Sequence, residues 1–235
     1  MRELSKKAVV LLSGGLDSTV TLAKAAEGGY ELYALSLDYG QRHEKELASA
    51  KKIAEFYNVK QHKILYIDLS LIGGSALTDL SLSVPKERGI LDIGDDIPIT
   101  YVPARNMIML SFAMAYGEVV NAEAVFIGAN ALDYSGYPDC RPEFLKAFQD
   151  AAKLGTRCGV EGKPVEIKYP LIDKTKAEIV KEGVRLSVPF HFTWSCYQGR
   201  EKACGRCDSC TLRLKGFQEA GIQDPLEYED GEEDQ

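Results

Sequence analysis

The run Ser13-Gly14-Gly15-Leu16-Asp17-Ser18 constrains this chain more than any other feature. Ahead of it, Ala8-Val9-Val10-Leu11-Leu12 reads as a buried parallel strand. Behind it, Thr19 to Glu27 carries helix formers and stops at Gly28-Gly29. A strand that turns into a helix through two glycines makes an anion cradle. Glycine admits close approach, the first helical N–H groups have no intrahelical partner, and the helix dipole adds about half a positive charge. The hydroxyls of Ser13 and Ser18 add donors. Asp17 would repel a phosphate, so its carboxylate makes sense as a Mg²⁺ ligand.

The same strand-to-helix rhythm continues. Glu31 to Leu37 reads as a strand ending in the polar loop Asp38 to His43. Glu44 to Tyr57 reads as a helix, with Leu47, Ala50, Ile53, Ala54 and Tyr57 at helical spacing, and Gln61 to Ile67 as a strand. This alternation implies an α/β fold with a doubly wound, mostly parallel sheet, whose ligands bind at the C-terminal edge of the strands. Asp68 to Tyr101 breaks the rhythm with Gly73-Gly74, Pro85, Gly89, Gly94 and Pro98, and reads equally as a functional lid or a surface insertion. Pro103-Ala104-Arg105-Asn106 opens a helix to Val119, and Ala122 to Ala129 is an apolar strand followed by the polar loop Asn130 to Arg141. Pro142 suits the first turn of a helix to Lys153, and Val165 to Tyr169 is a short strand. Thr175 and Glu178 make a capping box for a helix to Leu186, and a last helix covers Thr211 to Ala220.

The net charge is −7, unevenly placed: seven of the 35 acids lie from Asp224 onward with no base among them. Removing them leaves 28 acids against 28 bases, a neutral body that argues against a large nucleic-acid footprint. The acidic end reads as a solvated, frayed tail. With neither a signal peptide nor an apolar run of membrane-spanning length, a cytoplasmic protein is expected. Four of the six cysteines crowd together as Cys196-x7-Cys204-x2-Cys207-x2-Cys210. In a reducing compartment such clustering favours a metal over disulfides. Tetrahedral Zn²⁺ takes four thiolates and leaves no open position, so the site reads as structural; an iron–sulfur cluster is the rival. Cys140 and Cys158 stand alone and read as ordinary cysteines.

The loop is neither a Walker A nor a Gly-x-Gly-x-x-Gly motif. It resembles the loop of N-type ATP pyrophosphatases, which cleave ATP between the α and β phosphates and pass AMP to a substrate oxygen. Further motifs stand in order along the chain. They are Asp38-Tyr39-Gly40-Gln41-Arg42-His43, Pro103-Ala104-Arg105-Asn106, and the run from Asp133-Tyr134-Ser135-Gly136-Tyr137 to Pro138-Asp139-Cys140-Arg141-Pro142. Pro170-Leu171 with Lys176-Ala177-Glu178-Ile179 follows, then Thr193-Trp194-Ser195-Cys196 and Cys204-Gly205-x-Cys207-Asp208-Ser209-Cys210. With them the chain, to about Pro225, resembles the 7-cyano-7-deazaguanine synthase family of queuosine and archaeosine precursor synthesis.

The resemblance implies an adenine nucleotide alpha-hydrolase-like domain over 1–188, a cysteine lobe with the last helix over 189–222, and the tail over 223–235. It implies conversion of 7-carboxy-7-deazaguanine and ammonia to the nitrile through adenylated carboxylate and amide, with release of AMP and pyrophosphate. Leu12, Ser13, Gly14, Gly15, Leu16, Asp17, Ser18 and Thr19 would bind ATP, and Asp17 with the cations Lys176 and Arg105 would serve catalysis. A solvated lysine and an ordinary helix-terminus ion pair are the plain alternatives for the two cations. Asp139 would accept the paired donors of the deazaguanine edge and Tyr137 would stack on the base, with Asp133 and Arg141 nearby; a turn aspartate and a core tyrosine are the alternatives. His43 reads as structural. Zn²⁺ and ATP-borne Mg²⁺ are the expected cofactors. No nucleic acid or membrane partner is expected, and a homodimer stays open. The competing enzyme reading is a tRNA-thiolating or other amide-forming ATP pyrophosphatase; the non-enzyme reading is a zinc-ribbon binding module.

Overall fold

The computed structural model describes residues 6–40, 44–79, 81–85, 97–132 and 137–229. Five parallel strands form one sheet: β1 Lys7–Leu11, β2 Glu31–Asp38, β3 Gln61–Tyr66, β4 Ala124–Phe126 and β5 Glu166–Lys168, in the order β3-β2-β1-β4-β5. The α-helices are α1 Leu16–Glu27, α2 Lys45–Phe56, α3 Arg105–Val120 and α4 Pro142–Gly155. They continue with α5 Arg157–Val160, α6 Lys176–Arg185 and α7 Asp208–Ala220.

β1 is apolar on both faces because both are covered. Val9 and Leu11 join a core with Leu110 and Ala113 of α3 and Leu145 of α4. Ala8 and Val10 join the opposite core with Leu22 of α1 and Ala50 and Ile53 of α2. A third layer packs Leu16 and Val20 against Ile179, Phe190 and Phe217, so α6 and α7 lie outside α1. The chain runs β1-β2-β3 to one side, then returns to place β4 on the other side of β1. That reversal leaves a crevice at the C-terminal ends of β1 and β4, where doubly wound sheets bind ligands.

Several boundaries differ from the sequence expectation, α7 for one starting at Asp208 instead of Thr211, and three differ for a clear local reason. α1 starts at Leu16 instead of Thr19, because the Ser18 and Thr19 hydroxyls both donate to the Gly15 carbonyl and close the first turn. β4 ends at Phe126, three residues early, where the chain swings Gly128 against α1; a Cβ there would lie 3.1 Å from the Ser18 nitrogen. The acidic tail is not wholly solvated. Asp224 is buried against Arg213, and the chain pairs Ala203 with Glu227 and Glu229 beside the cysteines. Arg213 supplies the cation that composition alone made look missing. Residues 230–235 lie outside the described residues.

The described parts of the Asp68–Tyr101 stretch, 68–79, 81–85 and 97–101, hold no α-helix or strand and one 3₁₀ turn at Leu69–Leu71. Some of its described residues pack inward: Leu69, Ala76, Leu77 and Val84 join the α3-side core. The capping box forms as read, with Thr175 and Glu178 bonded reciprocally.

Candidate active site

A cavity of about 230 Å³ opens at the β1–β4 crevice. Leu12, Ser13, Gly15, Leu16, Asp17 and Ser18 line it, whereas Gly14 and Thr19 of the expected ATP set are not part of the lining. Gly14 has φ +88, and a Cβ on it would collide with the Glu46 carbonyl of α2, so only glycine fits. Gly15 is the N-cap of α1 and brings no side-chain cap. The N–H groups of the first turn therefore stay open to an anion, and the dipole favours one. The serine hydroxyls mostly knit the loop: Ser13 Oγ lies 3.0 Å from Ser18 Oγ, and Gly15 N–H donates to Ser13 Oγ at 3.2 Å.

Asp17 and Lys176 meet in the cavity. Lys176 Nζ donates to both Asp17 oxygens at 2.8 Å, and the two side chains are only 10% and 20% exposed. The lysine stem crosses Gly216 of α7 so closely that a Cβ there would sit 2.9 Å from its own Cβ. Lys176 is thus a threaded, buried cation rather than a solvated one. Each Asp17 oxygen accepts one bond from Lys176 and keeps a second lone pair directed elsewhere.

Arg105 opens α3 and lines the same cavity, its guanidinium donating to Tyr39 Oη at 3.4 Å. Burial works against its charge, but Tyr39 and Tyr137 outweigh burial and hold its pKa above the ordinary value. Glu46, the second residue of α2, also reaches the cavity, and burial pushes its carboxyl up to about 7 despite the opposing Arg105 charge.

The expected base-reading residues divide. Tyr137 lines the cavity, buried, with its hydroxyl 3.0 Å from Thr100 Oγ1 and its ring edge-on to Tyr101. Asp139 is buried and outside the cavity lining. Its carboxylate accepts the Asn106 backbone N–H at 2.9 Å and caps α3, whose own N-cap Ala104 has φ 54 and no capping side chain. Burial raises the Asp139 pKa, and the Asn106 bond opposes it. Arg141 is an exposed N-cap residue of α4, outside the cavity lining. Asp133 lies outside the described residues, as do Gln41, Arg42 and His43.

The four cysteines converge. The sulfurs of Cys196, Cys204, Cys207 and Cys210 lie within 4.8 Å of one another, and all four residues are buried. Gly205 turns the chain at φ +69, Cys207 caps α7 and Cys210 sits in its first turn. Hydrogen bonds from the Cys207 and Cys210 thiols, with backbone N–H groups of Cys204 and Gln198, hold Cys196 well below the usual thiol range. Such a group of four can hold a metal ion. The lobe also touches the phosphate loop, because Trp194 donates its backbone N–H to the Gly14 carbonyl at 2.9 Å.

With this geometry in place, comparison with known proteins decides the family. Residues 7–221 match the family described as "Queuosine biosynthesis protein QueC". The 7-cyano-7-deazaguanine synthase of Acetivibrio thermocellus is 59% identical over 223 residues, 95% of this chain and 98% of that protein. The 7-cyano-7-deazaguanine synthase of Thermoplasma volcanium is 59% identical over 225 residues, 96% of this chain and 92% of that one. The chain belongs to the QueC family. The solved NMN synthetase of Francisella tularensis has a TM-score of 0.50 at 17% identity, covering 94% of this chain and 79% of that one, a likeness of fold.

The family match spans both the loop and the cysteines, so both belong to one unit of descent. Several cavity residues were not singled out from the sequence as site residues, and three of them stand out. Arg213 is 1% exposed, is held by both Asp224 oxygens at 2.8 and 2.9 Å, and forms part of the cavity wall. Trp194 and Glu46 are the others. Glu46 did carry a signal: it falls at the helical spacing of Ala50, Ile53 and Tyr57, a charge on the apolar side of α2. No helix among the described residues is long and apolar enough to cross a membrane.

Proposed function

We propose that this chain converts 7-carboxy-7-deazaguanine and ammonia to 7-cyano-7-deazaguanine at the expense of two ATP, each cleaved to AMP and pyrophosphate. Its QueC family membership and its relatives' names carry this reading. The observation in the structure that supports it is the uncapped α1 start facing a cavity that also holds a buried lysine and an arginine. A carboxylate is a poor electrophile, since it merely pairs with ammonium. Transfer of AMP to it makes a leaving group that ammonia displaces to give the amide. A second AMP transfer, to the amide oxygen, allows its loss as the nitrile forms.

In this reading the N–H groups from Leu16 to Ser18 hold the α-phosphate while the Ser13–Ser18 pair keeps the loop shaped. Lys176 offsets charge on the departing pyrophosphate, held in place by Asp17, and Arg105 adds a second cation. Mg²⁺ enters with ATP as part of the substrate. The deazaguanine lies toward Tyr137, with Asp139 shaping that end through α3; Asp133 and Arg141 remain candidates for its outer edge. Cys196, Cys204, Cys207 and Cys210 hold Zn²⁺. Zn–S bonds of about 2.3 Å put tetrahedral sulfurs roughly 3.8 Å apart, close to the 4.0 Å between Cys204 and Cys210. The four cysteines form a cluster of their own with Trp194 and Ala203, which favours a distinct cysteine lobe, while Phe190 and Phe217 of 189–222 pack into the core of 1–188. Four reduced thiols suit the cytoplasm.

The test is stoichiometry. Incubated with ATP, Mg²⁺, ammonium and 7-carboxy-7-deazaguanine, the protein should form about two AMP per nitrile, with the amide seen early. ADP and phosphate as the main products would refute it.

A further inference from the structure

We propose that the Glu46 carboxylate is the base that takes protons from the reacting nitrogen as AMP leaves, an assignment that rests on the amidation and dehydration reading above. Two carboxyls reach the cavity among the described residues, Asp17 and Glu46. Asp17 is paired with Lys176 through both oxygens. Among the described residues no hydrogen bond or ion pair engages Glu46. A half-buried glutamate with a purely structural role would be expected to have a partner. The nearby guanidinium of Arg105 instead bonds Tyr39.

The surroundings of Glu46 suit a base. Arg105 from the start of α3, Tyr39 from the end of β2 and Cys196 from the lobe are the charged or titratable groups that act on it or feel it. Burial raises its pKa to about 7, where a carboxylate is both free to accept a proton and basic enough to hold it. Its position is fixed from both sides. The Glu46 backbone carbonyl abuts Gly14, and its neighbour Lys45 lies 4.5 Å over the Trp194 ring and donates to the Glu201 carbonyl at 2.8 Å.

The proton balance requires such a group twice. In the first round the ammonia lone pair forms the C–N bond, and the C–O bond to AMP breaks with its electron pair leaving on AMP. The nitrogen sheds one proton to become a neutral amide, and Glu46 takes it and passes it to water. In the second round the amide oxygen displaces pyrophosphate and the nitrogen becomes an iminium. It then loses both protons as the C–O bond to AMP breaks and the C≡N bond forms. The same nitrogen and leaving group are involved in both rounds, so one base serves both.

Glu46→Gln keeps the shape and cannot accept a proton. Two readouts on the full chain separate the steps: exchange of labelled pyrophosphate into ATP, driven by 7-carboxy-7-deazaguanine, and the rate of nitrile formation. Exchange should stay within about threefold of the parent chain while nitrile formation falls by about 10²- to 10⁴-fold. Glu46→Asp should recover part of that loss; it also gives the same comparison of exchange against nitrile formation if the glutamine variant does not fold. Nitrile formation at the parent rate would overturn the assignment. Equal loss of both readouts would do the same and place Glu46 on the phosphates. Parent chain that shows no such exchange would overturn the functional reading, and this assignment with it.

Discussion

The phosphate loop and the cysteine lobe both turn on a glycine at positive φ, Gly14 at +88 and Gly205 at +69, yet they reach their shapes by different means. The loop closes on itself through the Ser13–Ser18 pair and the Gly15 carbonyl, which accepts from the Ser18 and Thr19 hydroxyls. It needs no ligand to keep its form and leaves its helix N–H groups open. The lobe gathers four buried thiols within 4.8 Å, an arrangement that can hold a metal ion. One region is preorganised by hydrogen bonds, and the other, on the proposed zinc site, would be completed by its ligand. The two are joined by the Trp194 N–H on the Gly14 carbonyl at 2.9 Å, so disturbance of the lobe should reach the loop, whereas disturbance of the loop should spare the lobe.

The largest effect should come from Cys207→Ser. An incomplete tetrahedral shell forfeits much of a binding energy that is roughly 10 kcal/mol or more for structural zinc. Metal content should fall from one per chain toward none, hydrogen exchange over 203–213 should accelerate, and ATP should bind more weakly. Full metal content with an unchanged melting temperature would break the contrast between the regions. Lys176→Met comes next. It leaves Asp17 unpaired in a site only 10–20% exposed, at a cost of about 2–3 kcal/mol in chemical denaturation. Pyrophosphate exchange should fall by about 10²- to 10³-fold, the scale of losing one group that stabilises the transition state. Adding Asp17→Asn should restore stability without restoring exchange, a coupling that a double-mutant cycle measures.

Gly14→Ala should cost about 1–3 kcal/mol, from positive φ and the collision with the Glu46 carbonyl, while metal content stays at one per chain. Metal loss in that variant would show that the loop supports the lobe as well. The smallest effect belongs to Asp139→Ala. Loss of the α3 cap should lower stability by about 1 kcal/mol and leave KM for the deazaguanine within about threefold. A tenfold rise in KM with unchanged stability would instead return Asp139 to the base.

What could be read ahead of the structure was whatever lies close together along the chain. The loop, the capping box at Thr175 and Glu178, and the cysteine spacing are short-range patterns; the capping box forms as read and the four sulfurs converge within 4.8 Å. The parallel sheet followed from alternation of elements. Long-range matching was not legible. The capping role of Asp139 could not be read from the sequence, because its partner, the Asn106 N–H, lies 33 positions away. The partner of Asp17 among the cations could not be paired with it from the sequence, because Lys176 stands 159 residues on. Asp224 looked like tail because Arg213 gave no sign of being buried. Glu46 was the exception, a charge on an apolar helical face that could have been noticed.

The central claim is that both oxygens of the substrate carboxyl leave on AMP. It is tested most directly with 7-carboxy-7-deazaguanine carrying ¹⁸O at both carboxyl positions, in ordinary water with ATP, Mg²⁺ and ammonium. Mass spectrometry should find one ¹⁸O in every AMP formed, about two such AMP per nitrile, and no label in pyrophosphate. Unlabelled AMP, or label released to water, would contradict the account.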